Sequence, residues 1–161
     1  MKTKKMCGIA ILTAMYCVLS FFMKFTLIGN IQVDLGYIAL AIGCAFFGAW
    51  GAFIGSVGCG IESILFSSYG FSISWFVGNL IIGLGCGIVF KKTNNIWLRI
   101  ISVIVFVALG ILIAKTFIEC YLYSIPFEVK IIKNAVAFAT DTLVMVGGTV
   151  FANVLKRKGV K

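Results

Sequence analysis

Long apolar stretches, each ended by a short run of glycine, polar or basic residues, extend from Met6 to Leu155. This pattern predicts membrane-spanning helices at about 6–23, 32–47, 50–66, 72–90, 98–123 and 127–155. The breaks are Gly29-Asn30, Gly48-Ala49-Trp50-Gly51, Ser67-Ser68-Tyr69-Gly70, Lys91–Asn95 and Ser124-Ile125-Pro126. The second and third stretches are short, and together they suit one re-entrant or kinked pair. The expected fold is an all-α membrane protein: six transmembrane helices in one compact bundle, forming a single domain over residues 1–161.

Composition requires the same solvent. Of 161 residues, 61% are hydrophobic and 12% charged, and the mean hydropathy is +1.12. Soluble domains lie near 45–50% apolar with about a quarter charged. Met1–Lys5 is basic and leads into an apolar run, as a signal peptide would. No small-residue cleavage site precedes a soluble chain, so the first stretch is expected to be a retained span.

Charge orients the bundle. With the N-terminus in the cytoplasm, an even number of spans returns the C-terminus there. The inside then holds Lys2, Lys4, Lys5, Lys91, Lys92, Arg99, Lys156, Arg157, Lys158 and Lys161, and the outside only Lys24 and Lys130. This is a strong positive-inside bias. The net charge of +9 therefore reads as a topology signal in the plasma membrane, with the lipid bilayer as partner and no role in binding nucleic acid.

Several chemistries are excluded. The six cysteines, Cys7, Cys17, Cys44, Cys59, Cys86 and Cys120, form no CxxC pair, and histidine is absent, so no metal site is expected. There is no HExxH helix, no Ser-His-Asp set and no GxxxxGK[ST] loop. The chain is expected not to be an enzyme, to bind no cofactor, and to hydrolyse no ATP itself.

The ionisable minority is informative, because a charge in hydrocarbon costs a few kcal/mol even on lenient scales and usually faces a cavity or partner. Asp34, Glu62, Glu119, Glu128 and Asp141 all fall in the outer half or near the midplane. Lys133 lies roughly 9 Å below the outer end of the last span, and Asp141 roughly 21 Å from either end. Lys133, Ala137 and Asp141 are expected to share one inward face, with Asn134 one residue round. Lys115 and Glu119 form an i, i+4 pair at similar depth, and Glu62, Ser74, Trp75 and Asn79 approach the same outer half. Lys133, Asn134, Asp141, Lys115, Glu119, Glu62, Trp75 and Asn79 are thus the candidate substrate-binding residues of a polar, partly aromatic pocket open to the outside. The blander alternatives are snorkelling or helix-pairing lysines, a protonated buried Asp141 and an interfacial Trp75.

Small residues form a second pattern. Gly48, Gly51, Gly55 and Gly58 make a smooth face on the third span, as do Gly83 and Gly87 on the fourth. Such faces allow close helix approach, and internal packing is their expected use. Ala10 and Ala14 form another small pair on the cytoplasmic half of the first span.

Six short spans, basic cytoplasmic ends and the Ala10–Ala14 AxxxA resemble the substrate-binding S components of energy-coupling-factor (ECF) vitamin transporters. Phe47-Gly48-Ala49-Trp50-Gly51-Ala52-Phe53-Ile54-Gly55 is similar to that family's FGPxxGxxxG turn, with Ala49 where proline is frequent. Tyr69-Gly70-Phe71-Ser72-Ile73-Ser74-Trp75-Phe76-Val77-Gly78-Asn79, on through Gly83 and Gly87, resembles the riboflavin-type branch, with Glu62 where aspartate is common.

The resemblance implies a high-affinity membrane subunit for uptake of a water-soluble vitamin or cofactor precursor. It would dock through Ala10 and Ala14 on a membrane T subunit that carries two ATPase subunits, which hydrolyse the ATP, and would topple to release substrate inside. Loops around Gly29–Asp34, Ser67–Ser72 and Ser124–Phe127 would close the pocket. The alternatives are a stand-alone small-solute carrier or channel, and a non-transporting membrane assembly protein.

Overall fold

The computed structural model describes residues 2–22, 25–27, 31–66, 70–124 and 126–159. Helix α1 (Lys2–Phe22) leads into two short strands, β1 (Phe25–Leu27) and β2 (Ile31–Val33), which pair antiparallel with Phe25 opposite Val33. Then follow α2 (Gly36–Phe47), a 3₁₀ turn (Gly48–Trp50), α3 (Gly51–Phe66) and α4 (Ile73–Lys92). The next helix is continuous but changes its winding: α5 (Ile96–Val107), a π-helical segment (Ala108–Lys115) and α6 (Thr116–Tyr123). Helix α7 (Phe127–Arg157) ends the bundle. The expected breaks at Gly29-Asn30, Ser67–Tyr69 and Ile125 lie outside the described residues, as do Lys24 and Lys161.

Two features differ from the expectation. The fold is helical but carries the β1–β2 ribbon. And where six spans were expected, five stretches among the described residues have the length and apolarity to cross a bilayer: Thr3–Phe22, Gly36–Phe66, Ile73–Lys92, Ile96–Tyr123 and Phe127–Arg157. The difference lies at 36–66, where two short helices follow one another through the 3₁₀ turn. Gly48 has φ +66°, a conformation open to glycine, and the chain folds back there. Gly51 packs on Cys44, Gly55 on Leu40 and Gly43 on Ile54, so α2 and α3 form a helical hairpin.

Helix α2 is the hub, in contact with α1, α3, α4 and α7. Tyr37, Ala39, Leu40, Ala41 and Cys44 are all 0% exposed, which explains a helix that is apolar on every side. The glycine faces serve this packing. Gly83 lies against the backbone of Gly51 and Ala52, and Gly87 against Gly48 and Ala49, so α4 approaches the α2–α3 turn backbone to backbone. The outer surface carries Ile11, Val18, Ile64, Leu143 and Phe151, large apolar residues left exposed by the bundle, as a lipid-facing surface requires.

The two ends of the bundle differ in charge. At one end Lys5 lies over the Trp50 ring, Lys156 over Phe46, and Lys91 beside Gly48. Arg99 belongs to this end but is 1% exposed. Its guanidinium donates to the Phe90 and Thr93 carbonyls and to Asn94 Oδ1, capping the last turn of α4. The opposite end carries Asp34, Ser74, Glu119, Glu128 and Lys130, on α6, beside β2 and in the first turns of α4 and α7.

Candidate functional site

The π segment decides how the fifth stretch presents its polar residues. Along α5 the buried positions are Arg99, Ser102, Val103 and Val107, a regular α-helical face. Gly110 continues it. Regular α spacing would next turn residues 113, 114, 117 and 118 inward. Instead Lys115, Thr116 and Glu119 are buried, with Lys115 and Glu119 one residue later than an α-helix would place them, while Ile111, four residues after Val107, still follows the α face. A π turn adds one residue to the helical repeat and is common at functional positions. The Thr116 hydroxyl donates to the Ile111 carbonyl five residues back, and Gly110 packs on the Gly78 backbone of α4.

That rotation brings Lys115 and Glu119 to face α4 and α7. Lys115 Nζ donates to Asn134 Oδ1 at 2.7 Å and lies 3.7 Å from the centre of the Trp75 ring. Asn134 Nδ2 donates to Thr116 Oγ1 at 2.9 Å and to Glu119 Oε2 at 3.3 Å. Glu119 pairs with Lys130 at 3.2 Å, more closely than with Lys115 at 3.9 Å, and accepts from Ser74 Oγ at 3.4 Å. Lys115, Glu119, Asn134 and Ser74 are each 7% exposed or less. Two ammonium groups, one carboxylate, an amide, hydroxyls and an indole face thus converge from α4, the π segment, α6 and α7. An ensemble of this kind can receive a molecule with a polar edge and a flat ring by exchanging internal hydrogen bonds for external ones.

Asn79 belongs to a neighbouring network. Its Nδ2 donates to the Tyr16 hydroxyl at 3.2 Å, and Tyr16 donates to Asp34 Oδ2 at 3.3 Å. Asp141 is fully buried on α7, on the face that also carries Asn134, Ala137 and Met145. Glu62 is buried on α3 beside Cys17 of α1.

Lys133 is the correction. It was expected to share the inward face of α7 with Ala137 and Asp141, but it is exposed, and Asn134 takes that place. The inward face runs Asn134, Ala137, Asp141, Met145, Gly148 and Ala152, spaced by three or four residues, and follows the contact with α2. Residues missed at the site are Lys130 and Thr116, and in the neighbouring network Tyr16 and Ser20. Tyr16 and Ser20 stand four apart inside an apolar run, a readable signal. Lys130 carried none, because it looked like a loop lysine.

Ala10 and Ala14 are both exposed, on a different face of α1 from the buried Tyr16 and Ser20. They line an apolar groove of about 520 Å³ between α1 and α3, together with Cys17, Phe21, Phe53 and Leu65.

Five long apolar helical stretches packed round a buried polar cluster define a helical multi-pass membrane protein. Residues 1–157 match the family model described as the ECF-type riboflavin transporter S component, and the chain belongs to that family of membrane subunits for vitamin uptake. This is a transporter family rather than an enzyme family. Two solved structures share the fold. The S component for biotin from an ECF-type ABC transporter superposes with a TM-score of 0.71 at 17% identity, covering 97% of this chain and 92% of that one. FolT bound with folic acid gives 0.69 at 19% identity, covering 91% of each chain. No curated protein matches the chain.

Proposed function

We propose that the chain captures a water-soluble vitamin at the outer face of the plasma membrane, with riboflavin as the first candidate. The family description names riboflavin transport, and the observation that carries the reading is the cluster of Lys115, Asn134, Glu119 and Trp75. A flavin has a flat ring that suits the Trp75 indole and an imide edge that both donates and accepts. Lys115 and Asn134 supply the complementary donors and Asn134 and Glu119 the acceptors. Asn79, Asp141 and Glu62 extend the polar lining toward the midplane, and Lys133 lies at its rim.

Both termini are cytoplasmic in this reading, with six helical segments crossing or re-entering the bilayer as one domain. The basic end formed by Lys5, Lys91, Arg99 and Lys156 supports it, because positive residues stay inside. The exposed Ala10–Ala14 strip is the surface that docks on the T subunit, and the partner's two ATPase subunits supply the energy. Small residues flanked by an apolar groove let another helix approach closely.

The test is riboflavin binding by the purified chain, followed by uptake into vesicles with and without the T and ATPase subunits. Submicromolar binding and partner-dependent uptake are expected. Partner-independent uptake would make the chain a stand-alone carrier, and failure to retain riboflavin or any vitamin would remove the binding role.

A further inference from the structure

Asp34 stands at the junction between β2 and α2, and it is bonded to more of the bundle than a loop carboxylate need be. Its Oδ1 accepts from the Gly36 backbone N–H at 2.7 Å and from Ser20 Oγ of α1 at 2.6 Å. Its Oδ2 accepts from the Tyr16 hydroxyl at 3.3 Å, also on α1. Tyr16 in turn accepts from Asn79 of α4. Tyr16, Ser20 and Asn79 are each 1% exposed and Asp34 is half-buried, so these bonds are partly shielded from solvent.

The partners lead to the site by two routes. Asn79 follows Gly78, which packs against Gly110 and the Lys115 side chain. Strand β2 packs on α7, the helix that carries Asn134. Gly36 and Gly58 make the arrangement possible, because a side chain at Gly36 would meet Ser20 and Asp34, and one at Gly58 the Tyr16 ring.

We propose that Asp34 is a positioning residue for the binding site: it ties the end of β2 to α1 and, through Tyr16, to the α4 turn beside Lys115. The ribbon, through β2, then packs on α7 as part of the site's wall, and the tie sets how readily a bound molecule leaves. This deepens the vitamin-binding reading and rests on it for the consequence on ligand release, but the tie itself requires no ligand.

The test uses the full chain in lipid nanodiscs. Amide hydrogen exchange over residues 31–36 is measured for the wild type, Asp34→Ala, Tyr16→Phe, Ser20→Ala and Asp34→Asn, together with riboflavin association and dissociation rates. A lost charge-assisted hydrogen bond corresponds to roughly a tenfold change or more. Asp34→Ala should therefore speed exchange at 31–36 about tenfold or more while exchange along α7 stays as in the wild type. Riboflavin dissociation should accelerate with it, and association should change little. Tyr16→Phe and Ser20→Ala should each give part of the effect, and neither should add to Asp34→Ala. Asp34→Asn keeps the Oδ1 acceptor and should restore most of the slow exchange.

Unchanged exchange in Asp34→Ala would overturn the proposal. So would faster exchange with wild-type riboflavin dissociation. If Asp34→Ala fails to fold, Tyr16→Phe, which removes one hydroxyl, decides the question by the same two measurements. A wild-type chain that ignores riboflavin sinks the vitamin reading instead, and the exchange measurement still decides the tie.

Discussion

Lys115 on the π segment and Asn134 on α7, 19 residues apart in the chain, are joined by a buried 2.7 Å hydrogen bond from ammonium to amide oxygen. A buried ammonium costs several kcal/mol unless its donors are used. Asn134, Glu119 and the Trp75 face use them here. The same groups can be released to a ligand, which makes the bond a point of exchange as well as a helix contact.

Lys115→Met keeps the length and the apolar stem but removes the charge. Riboflavin affinity should fall about tenfold or more, the equivalent of one charge-assisted hydrogen bond. Melting temperature should fall by a few degrees at most, because Asn134 Oδ1 loses its donor while the cost of burying the ammonium is removed. Titration of flavin fluorescence against a thermal melt reads both, and normal affinity would take Lys115 out of the site.

Neighbouring positions on α7 should behave oppositely. Lys133 is exposed, so Lys133→Met should leave the melting temperature within a few degrees of wild type and alter affinity modestly at most. Asn134 is 1% exposed and satisfies Lys115, Thr116 and Glu119 at once. Asn134→Leu removes one partner from each of those buried groups and leaves Lys115 without its shortest hydrogen bond, a loss of roughly 1–3 kcal/mol that should lower both stability and affinity. A Lys133→Met defect larger than that of Asn134→Leu would mean that α7 is rotated in the working protein.

Docking should separate from binding at α1. Ala14→Trp, or Ala10→Trp, projects a bulky ring from the exposed side of the helix into the α1–α3 groove. Uptake in the assembled transporter should be lost while riboflavin affinity of the isolated chain stays within about twofold, since the change lies on the exposed face of α1 and leaves Tyr16 and Ser20 buried. Pull-down of the T subunit gives the direct readout. A parallel loss of affinity would identify the groove as internal packing.

Arg99 should matter to stability alone. Arg99→Met abandons the Phe90 and Thr93 carbonyls at the end of α4 and should cost about 2–3 kcal/mol, seen as a lower melting temperature. Arg99→Lys should recover only part of the loss, because a single ammonium cannot reproduce the guanidinium fork. Riboflavin affinity of the folded fraction should be unchanged, since Arg99 lies at the opposite end of the bundle from Lys115.

Much of this protein follows from the linear pattern. Apolar runs of sufficient length have to become membrane helices, because no other backbone arrangement satisfies its polar groups in lipid. Glycine at Gly83 and Gly87 foretold a close helix contact, and Lys115, Glu119, Trp75 and Asn134 stood out because charge, amide and indole are rare in such runs. The facing of each helix was not legible in the same way. Lipid is as apolar as a protein core, so hydrophobicity does not tell a side that meets α2 from one that meets the bilayer. Lys133–Ala137–Asp141 and Asn134–Ala137–Asp141 are equally good helical stripes. Contact with α2 selects the second. The π segment is a choice of the same kind: nothing in Ala-Leu-Gly-Ile-Leu-Ile-Ala-Lys marks an extra residue per turn, yet that residue turns Lys115 and Glu119 inward. Sequence alone determined that these groups are buried in a membrane helix bundle. Which of them meet was decided by tertiary packing, through the rotation of α7 and the winding of the π segment.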